Sequence, residues 1–149
     1  MKGLFLSLEG GEGTGKTTQL SLLTRRIEAL GRFVTLTREP GGTELGRTLR
    51  QLLVQESADP PTPVAELLLY AADRAHHVST VILPALDAGR VVLCDRYADA
   101  TEAYQGWGRG LPLDLVGRAN ELATEGVWPD RTLVLDFEPV TGVARALSR

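Results

Sequence analysis

A three-layer α/β fold, with a parallel four-stranded sheet and helices on both faces, is what two features of the sequence predict. Short apolar runs alternate with longer segments in which apolar residues recur at spacings of three and four. Near the N-terminus, one such run leads through a glycine-rich stretch, GGEGTGKT at Gly10 to Thr17, into a helical pattern. Alternating strands and helices require crossover connections. These make the strands parallel and, being right-handed, place helices on either side of the sheet.

The elements follow in order. LFLSL at Leu4–Leu8 reads as a short buried strand, stopped by Glu9 and the glycines. Thr17–Leu30 reads as a helix, because Leu20, Leu23, Ile27 and Leu30 repeat at helical spacing and Gly31 supplies the stop. FVTLT at Phe33–Thr37 is the second strand. Thr43–Gln55 is helical, with Leu45, Leu49, Leu52 and Leu53 placed on one side. Ala58–Pro63 is a proline-dense loop, and Pro63 suits the first turn of the helix that runs past Tyr70 and Arg74. A further helical stretch, bent at Pro84, ends near Gly89. Arg90–Cys94 is the third strand, Gly106–Pro112 a glycine-rich loop and Leu113–Thr124 a helix. Thr132–Leu135 is the fourth strand, and Pro139–Arg149 opens another helix.

Composition narrows the class. A chain of 149 residues suits one domain, here residues 1–149, and there is no repeat, low-complexity tract or interdomain linker. The net charge of −3 gives no global basic field, so nucleic acid is not an expected partner and any anion must be held by local Lys and Arg. Cys94 is the single cysteine, which excludes an internal disulfide framework and fits a reducing cytoplasm; in VVLC it reads as a buried strand thiol. Lys2 and the stretch after it do not form a signal peptide, and no run approaches the roughly 18 apolar residues of a membrane span.

The stretch Gly10–Thr17 fits GxxxxGK[ST] through Gly10, Gly15, Lys16 and Thr17, with a strand before it and a helix after it. Glycines let the backbone curl so that several N–H groups face phosphate oxygens, and the helix N-terminus adds partial positive charge. The cradle is therefore Gly10, Gly11, Glu12, Gly13, Thr14, Gly15, Lys16, Thr17 and Thr18. Lys16 is placed to reach the β- and γ-phosphates, and the Thr17 hydroxyl to bind Mg²⁺. The fold expected is that of P-loop NTP hydrolases, and the ligand a nucleoside triphosphate.

Further segments refine this. TREPGG at Thr37–Gly42, YAADR at Tyr70–Arg74, DRY at Asp95–Tyr97 and AYQGWGRG at Ala103–Gly110, together with Glu12, follow one another in an order and spacing that resembles bacterial thymidylate kinase over essentially the whole chain. The resemblance implies transfer of the ATP γ-phosphate to dTMP, giving dTDP, with Mg²⁺ and within a cytoplasmic homodimer. It implies that Glu12 bonds the 3′-hydroxyl and that Arg38 and Arg96, with Arg50 as a further candidate, grip the dTMP phosphate. Tyr70, where the family often has Phe, would stack on thymine. Arg74 and Gln105 would read its polar edge, and Tyr104 would crowd the 2′ position. Asp95 would orient Mg²⁺ and its waters, and Lys16, Asp95, Arg96 and Glu12 would carry the chemistry. Ala100 stands where the family usually has Ser, so a hydroxyl contact there is not carried over. Guanidinium groups that follow strand ends suit this work, since the crevice of an open parallel sheet lies at the carboxyl ends of its strands.

The same residues admit plainer roles: Glu12 as a solvated carboxylate, Arg38 paired with Glu39, Arg96 with Asp95, Tyr70 in the core, Arg74 paired with Asp73 or Glu66, and Tyr104 and Gln105 as loop packing. His76 and His77 read as solvent-facing, and Asp136, taken as the end of the fourth strand, as structural. Trp107 and Trp128 have no assigned chemistry. The resemblance also places an arginine-rich lid and further elements beyond Arg149. Gly11, Glu12, Gly13 and Thr14 include no arginine, so the catalytic arginine is expected on the lid. A chain of these 149 residues alone is expected to bind dTMP but to be severely impaired in transfer, with a sheet edge and apolar helix surface left exposed. The alternatives are another nucleoside or nucleotide kinase and a nucleotide-binding fragment without catalysis. A GTPase switch is disfavoured, because no NKxD-like run is present.

Overall fold

A computed structural model describes residues 3–55 and 58–148. Lys2 and Arg149 lie outside the described residues. The described residues divide into two compact units. One draws on residues 3–37, 85–96 and 129–148, the other on 38–55, 58–84 and 97–128.

The first unit is built on a four-stranded parallel sheet of β1 (Leu4–Glu9), β2 (Val34–Arg38), β3 (Val91–Asp95) and β4 (Arg131–Val134), in the order β2-β3-β1-β4. In the register of β1 with β3, Ser7 faces Cys94 and Leu8 faces Asp95; with β4, Ser7 faces Thr132 and Glu9 faces Val134. The Ser7 and Thr132 hydroxyls lie 3.0 Å apart, and Asp130 fixes the entry to β4 by accepting the Phe5 N–H at 2.8 Å. Helix α1 (Lys16–Ala29) packs on β1 and β3. Leu8, Leu20, Val34, Val91 and Leu93 are buried together, with Leu6, Leu23 and Ile27 against them. Each such side chain contributes roughly 1.5–3 kcal/mol of transfer free energy, so this cluster anchors the strand ends from which the site is built. Cys94 is fully buried, as its apolar run implies.

β2 and β3 lie one residue later than expected and β4 one residue earlier, while β1 keeps its start and runs one residue longer, slips typical of element ends. Glu9 continues β1 rather than stopping it. Asp136 lies beyond the end of β4 rather than at it. Helix α7 (Pro139–Leu147) is capped by Glu138, whose carboxylate accepts the N–H groups of Val140 and Thr141. Those bonds hold the Glu138 carboxyl below its ordinary pKa. Among the described residues β4 lies at one edge of the sheet, and Val134, Val140 and Leu147 are exposed.

The second unit is helical. It comprises α2 (Glu44–Val54), α3 (Pro63–His77), part of α4 (Leu83–Asp87), α5 (Ala98–Thr101) and α6 (Leu113–Thr124), with α3 packed on α2 and α6. Thr43 caps α2 by accepting the Gly46 N–H at 2.9 Å, and Pro63 opens α3 as its fixed φ favours. The leucines of α2 do not form one buried stripe: Leu49 and Leu53 are half-buried, whereas Leu45 and Leu52 are exposed. Before Pro84 the helix passes through a π-helical segment, Val78–Ile82, and α4 begins at Leu83. The stretch read as a glycine-rich loop from Gly106 is helical up to Gly108. Helix α5 continues into a second π-helical segment, Glu102–Gly108. Glycine content suggested a loop, but burial of Thr101, Gln105 and Gly106 holds the helix together.

Candidate active site

The glycine loop occupies the turn between β1 and α1. Gly13 (φ 68°) and Gly15 (φ 94°) sit in the left-handed region, which glycine adopts without strain. A side chain at Gly13 would collide with the carbonyl oxygen of Gly142 in α7, and one at Gly142 would come within 2.6 Å of the Glu12 carbonyl oxygen. Loop and helix thus approach backbone to backbone. Lys16 folds back over the loop, donating to the carbonyl oxygens of Gly10 at 2.8 Å and Gly11 at 2.9 Å, while the Thr14 hydroxyl donates to Gly11 at 3.1 Å. Burial lowers the Lys16 pKa and Arg96 lowers it further, against the opposing pull of Asp95, Glu12 and Glu9. Helix α1 carries no side-chain cap and no acidic residue in its first turn, leaving its N-terminal N–H groups for an anion. Thr17 and Thr18 lie in that turn and are exposed.

Asp95 ends β3 opposite Leu8. Its Oδ1 is buried and has no hydrogen-bond partner among the described residues. Arg96, the next residue, has φ 70°, a left-handed conformation that is strained for a side-chain-bearing residue. The strain is held from both sides: the Arg96 N–H donates to Leu8 at 3.0 Å, and its carbonyl accepts from Cys94 Sγ at 3.0 Å. The Arg96 guanidinium reaches Glu12 Oε1 at 3.4 Å. Lys16, Asp95, Arg96 and Glu12 are brought together.

In the second unit, Arg38 and Arg50 flank the turn at Gly41. A Cβ there would lie 3.2 Å from Arg50 Cδ and 3.8 Å from Arg38 Cδ, and Arg50 donates to the Pro40 carbonyl at 3.2 Å. Arg74 is 2% exposed. It donates to Glu39 at 2.8 Å, Asn120 at 2.6 Å, Thr101 at 2.9 Å and the Tyr97 carbonyl at 3.2 Å. Its partners are thus neither Asp73 nor Glu66, and Glu39 is not paired with Arg38. His77 is fully buried rather than solvent-facing, because its Nδ1 lies 2.8 Å from Glu39 Oε1. Asp73 beside them is pushed up to about 6 by burial, with the Glu39 charge adding; the Gly41 N–H bond, His77 and Arg74 oppose the shift.

A cavity of about 300 Å³ also opens in this unit, lined by Leu53, Glu66, Tyr70, Tyr104, Gln105 and Arg109 among others. Its size falls in the range of small-molecule sites. Glu66 is buried in the wall, accepting from Gln105 Nε2 at 2.6 Å and from Arg109 at 2.8 and 3.3 Å. Those contacts raise the Arg109 pKa. Tyr70, Tyr104 and Gln105 meet at this cavity, and Arg74 is not among its lining residues. Glu66 and Arg109 went unassigned in the sequence. Glu66 stands one helical turn before Tyr70, a spacing that puts both on one face of α3 and was the available signal.

A glycine loop feeding an uncapped helix, a lysine folded over it and a strand-end carboxylate define a P-loop fold of the phosphoryl-transfer class. The family model for thymidylate kinase matches residues 8–149. The chain is 59% identical over 146 residues to a thymidylate kinase of Synechococcus sp. (strain JA-2-3B'a(2-13)), covering 98% of this chain and 70% of that one. It is 52% identical to a thymidylate kinase of Nitratidesulfovibrio vulgaris (strain DP4), again over 98% of this chain and over 65% of the relative. The crystal structure of thymidylate kinase from Ehrlichia chaffeensis superimposes with a TM-score of 0.85 at 36% identity, covering 99% of this chain and 84% of that chain. The chain belongs to the thymidylate kinase family, and is a nucleoside monophosphate kinase of the P-loop fold.

Proposed function

We propose that the chain transfers the γ-phosphate of ATP to dTMP. The observation that carries this reading is the cavity in which Tyr70 and Tyr104 supply flat aromatic walls and Gln105 an amide, within a family member whose P-loop is formed. An aromatic face suits a planar base and an amide suits its polar edge. An oxygen of the dTMP phosphate attacks the γ-phosphorus in line, the bond to the β–γ bridging oxygen breaks, and ADP leaves with that oxygen. The protein's work is positioning and charge neutralisation. Lys16 and the N–H groups of Gly13–Thr18 hold the donor phosphates. Arg96, Arg38 and Arg50 are assigned to the acceptor phosphate, Glu12 to the 3′-hydroxyl, Tyr70 to stacking, Tyr104 to exclusion of a 2′-hydroxyl, and Gln105 to the base edge.

The residues present fit Mg²⁺, which prefers hard oxygen donors and keeps several waters. The Thr17 hydroxyl and Asp95, whose buried Oδ1 lacks a protein partner among the described residues, would hold it, and when bound it would neutralise charge on the transferring phosphates. Exposed Leu45, Leu52, Val64 and Leu68 on α2 and α3 support a homodimer through these helices. Among the described residues no helix is long and apolar enough to cross a membrane, which suits a cytoplasmic enzyme.

A coupled ATP/dTMP phosphotransfer assay with a panel of monophosphate acceptors tests the reading. Preference for dTMP is expected. Preference for dGMP or UMP would make the chain a different nucleotide kinase. Binding of ATP and dTMP with no turnover would mark a binding fragment.

A further inference from the structure

We infer that Glu66 is a positioning residue for base recognition: its carboxylate turns the nitrogen end of the Gln105 amide toward itself, leaving the oxygen end to accept the N3–H of a pyrimidine-2,4-dione. This rests on the proposed dTMP-binding function and specifies how the base cavity discriminates.

The two ends of a glutamine amide have almost the same shape, so the neighbours decide which way it faces. A carboxylate only accepts hydrogen bonds. Gln105 Nε2 lies 2.6 Å from Glu66 Oε1, and the two residues are 2% and 7% exposed. Reversing the amide would set two acceptor oxygens against each other at hydrogen-bond distance. Glu66 is itself held by Arg109, which donates to both of its oxygens, Oε1 at 3.3 Å and Oε2 at 2.8 Å. All three residues line the same cavity. The series Arg109–Glu66–Gln105 therefore runs from a donor through a buried acceptor to an amide whose sense that acceptor sets. Thymine and uracil carry a hydrogen on N3. Cytosine carries a lone pair there, which would face the amide oxygen as one acceptor against another. A site polarised in this way rejects the mismatched ring because its own buried group is left unpaired.

The test is calorimetric titration of the whole chain with dTMP and with 5-methyl-dCMP, which keeps the methyl group and ring and changes only the N3/C4 edge. Wild-type protein and the Glu66→Gln variant are compared, since a glutamine in place of Glu66 can pair with Gln105 in either amide sense. Wild type is expected to prefer dTMP, and Glu66→Gln to narrow that preference by about 3- to 10-fold, the worth of one hydrogen bond. Equal weakening for both ligands would reduce Glu66 to a packing role and overturn the inference, as would an unchanged preference. Should Glu66→Gln fail to fold, wild type alone decides, because equal affinity for the two ligands overturns it without any variant. Failure of wild type to bind dTMP at all would instead refute the proposed function.

Discussion

Replacing Asp73 by asparagine should stabilise the protein, and by an amount that depends on pH in a fixed way. Asp73 is buried beside Glu39, and its folded pKa is pushed up to about 6 from an ordinary 3.8. A carboxyl whose pKa rises on folding binds its proton more tightly in the native state. Its contribution to stability is therefore fully present below the unfolded value and is lost as pH rises through the folded value. That rise from 3.8 to about 6 corresponds to about 3 kcal/mol withheld from the fold at pH 7.5. The asparagine side chain keeps an Oδ1 to accept the Gly41 N–H, which Asp73 accepts at 3.3 Å in the parent, and carries no charge to set against Glu39. The same linkage gives a gain for Asp73→Asn of about 3 kcal/mol at pH 7.5, about 1.6 at pH 5 and about 0.6 at pH 4. For a chain of this size the largest gain should raise the melting temperature by about 6–12 °C. Urea melts of both proteins from pH 4 to 8 are the assay. A variant less stable at pH 7.5, or a gain that does not shrink on acidification, would refute the reasoning.

Three further outcomes are expected. Lys16→Met should lower the phosphotransfer rate by about 10²–10³-fold, if its charge serves the donor phosphates as proposed, while circular dichroism shows an unchanged fold; near-normal turnover would count against that role. Gly13→Ala should abolish ATP binding in calorimetry and lower the melting temperature, because Gly13 has φ 68° and its added methyl would strike the Gly142 carbonyl; parent-like binding would show that the loop yields. Glu39→Ala should cost about 3–5 kcal/mol in urea melts by leaving Arg74 buried without its carboxylate, against less than about 0.5 kcal/mol for Glu44→Ala on the exposed surface of α2.

The strands and the phosphate loop were legible because their signals are local. Apolar runs such as VVLC have no other place to go, and GxxxxGKT between a strand and a helix is dictated by phosphate chemistry. What escaped was decided by distant partners. His77 looked like a solvent-facing helix residue until Glu39, 38 positions away, drew it inward. Arg74 had two acidic neighbours on its own helix, yet bonds Glu39, Asn120 and Thr101 instead. The stretch after Thr101 looked like a loop because glycine counts against a helix, but a π-helical turn tolerates Gly106 where Leu113 packs closely. Glu66 and Arg109 carry no motif of their own, and only the fold shows that they hold Gln105.

The close approach of Gly13 and Gly142 bears on how such a sequence can drift. The two positions lie 129 apart in the chain, yet a single methyl group at either would intrude on the backbone at the other's segment. Neither can be explored one substitution at a time while the seam between loop and helix stays closed. Enlarging one requires the helix to slide or the loop to open, and both movements reach the phosphate cradle. A side chain at either position is therefore expected to be felt at the phosphate cradle, although Gly142 lies far from it in sequence.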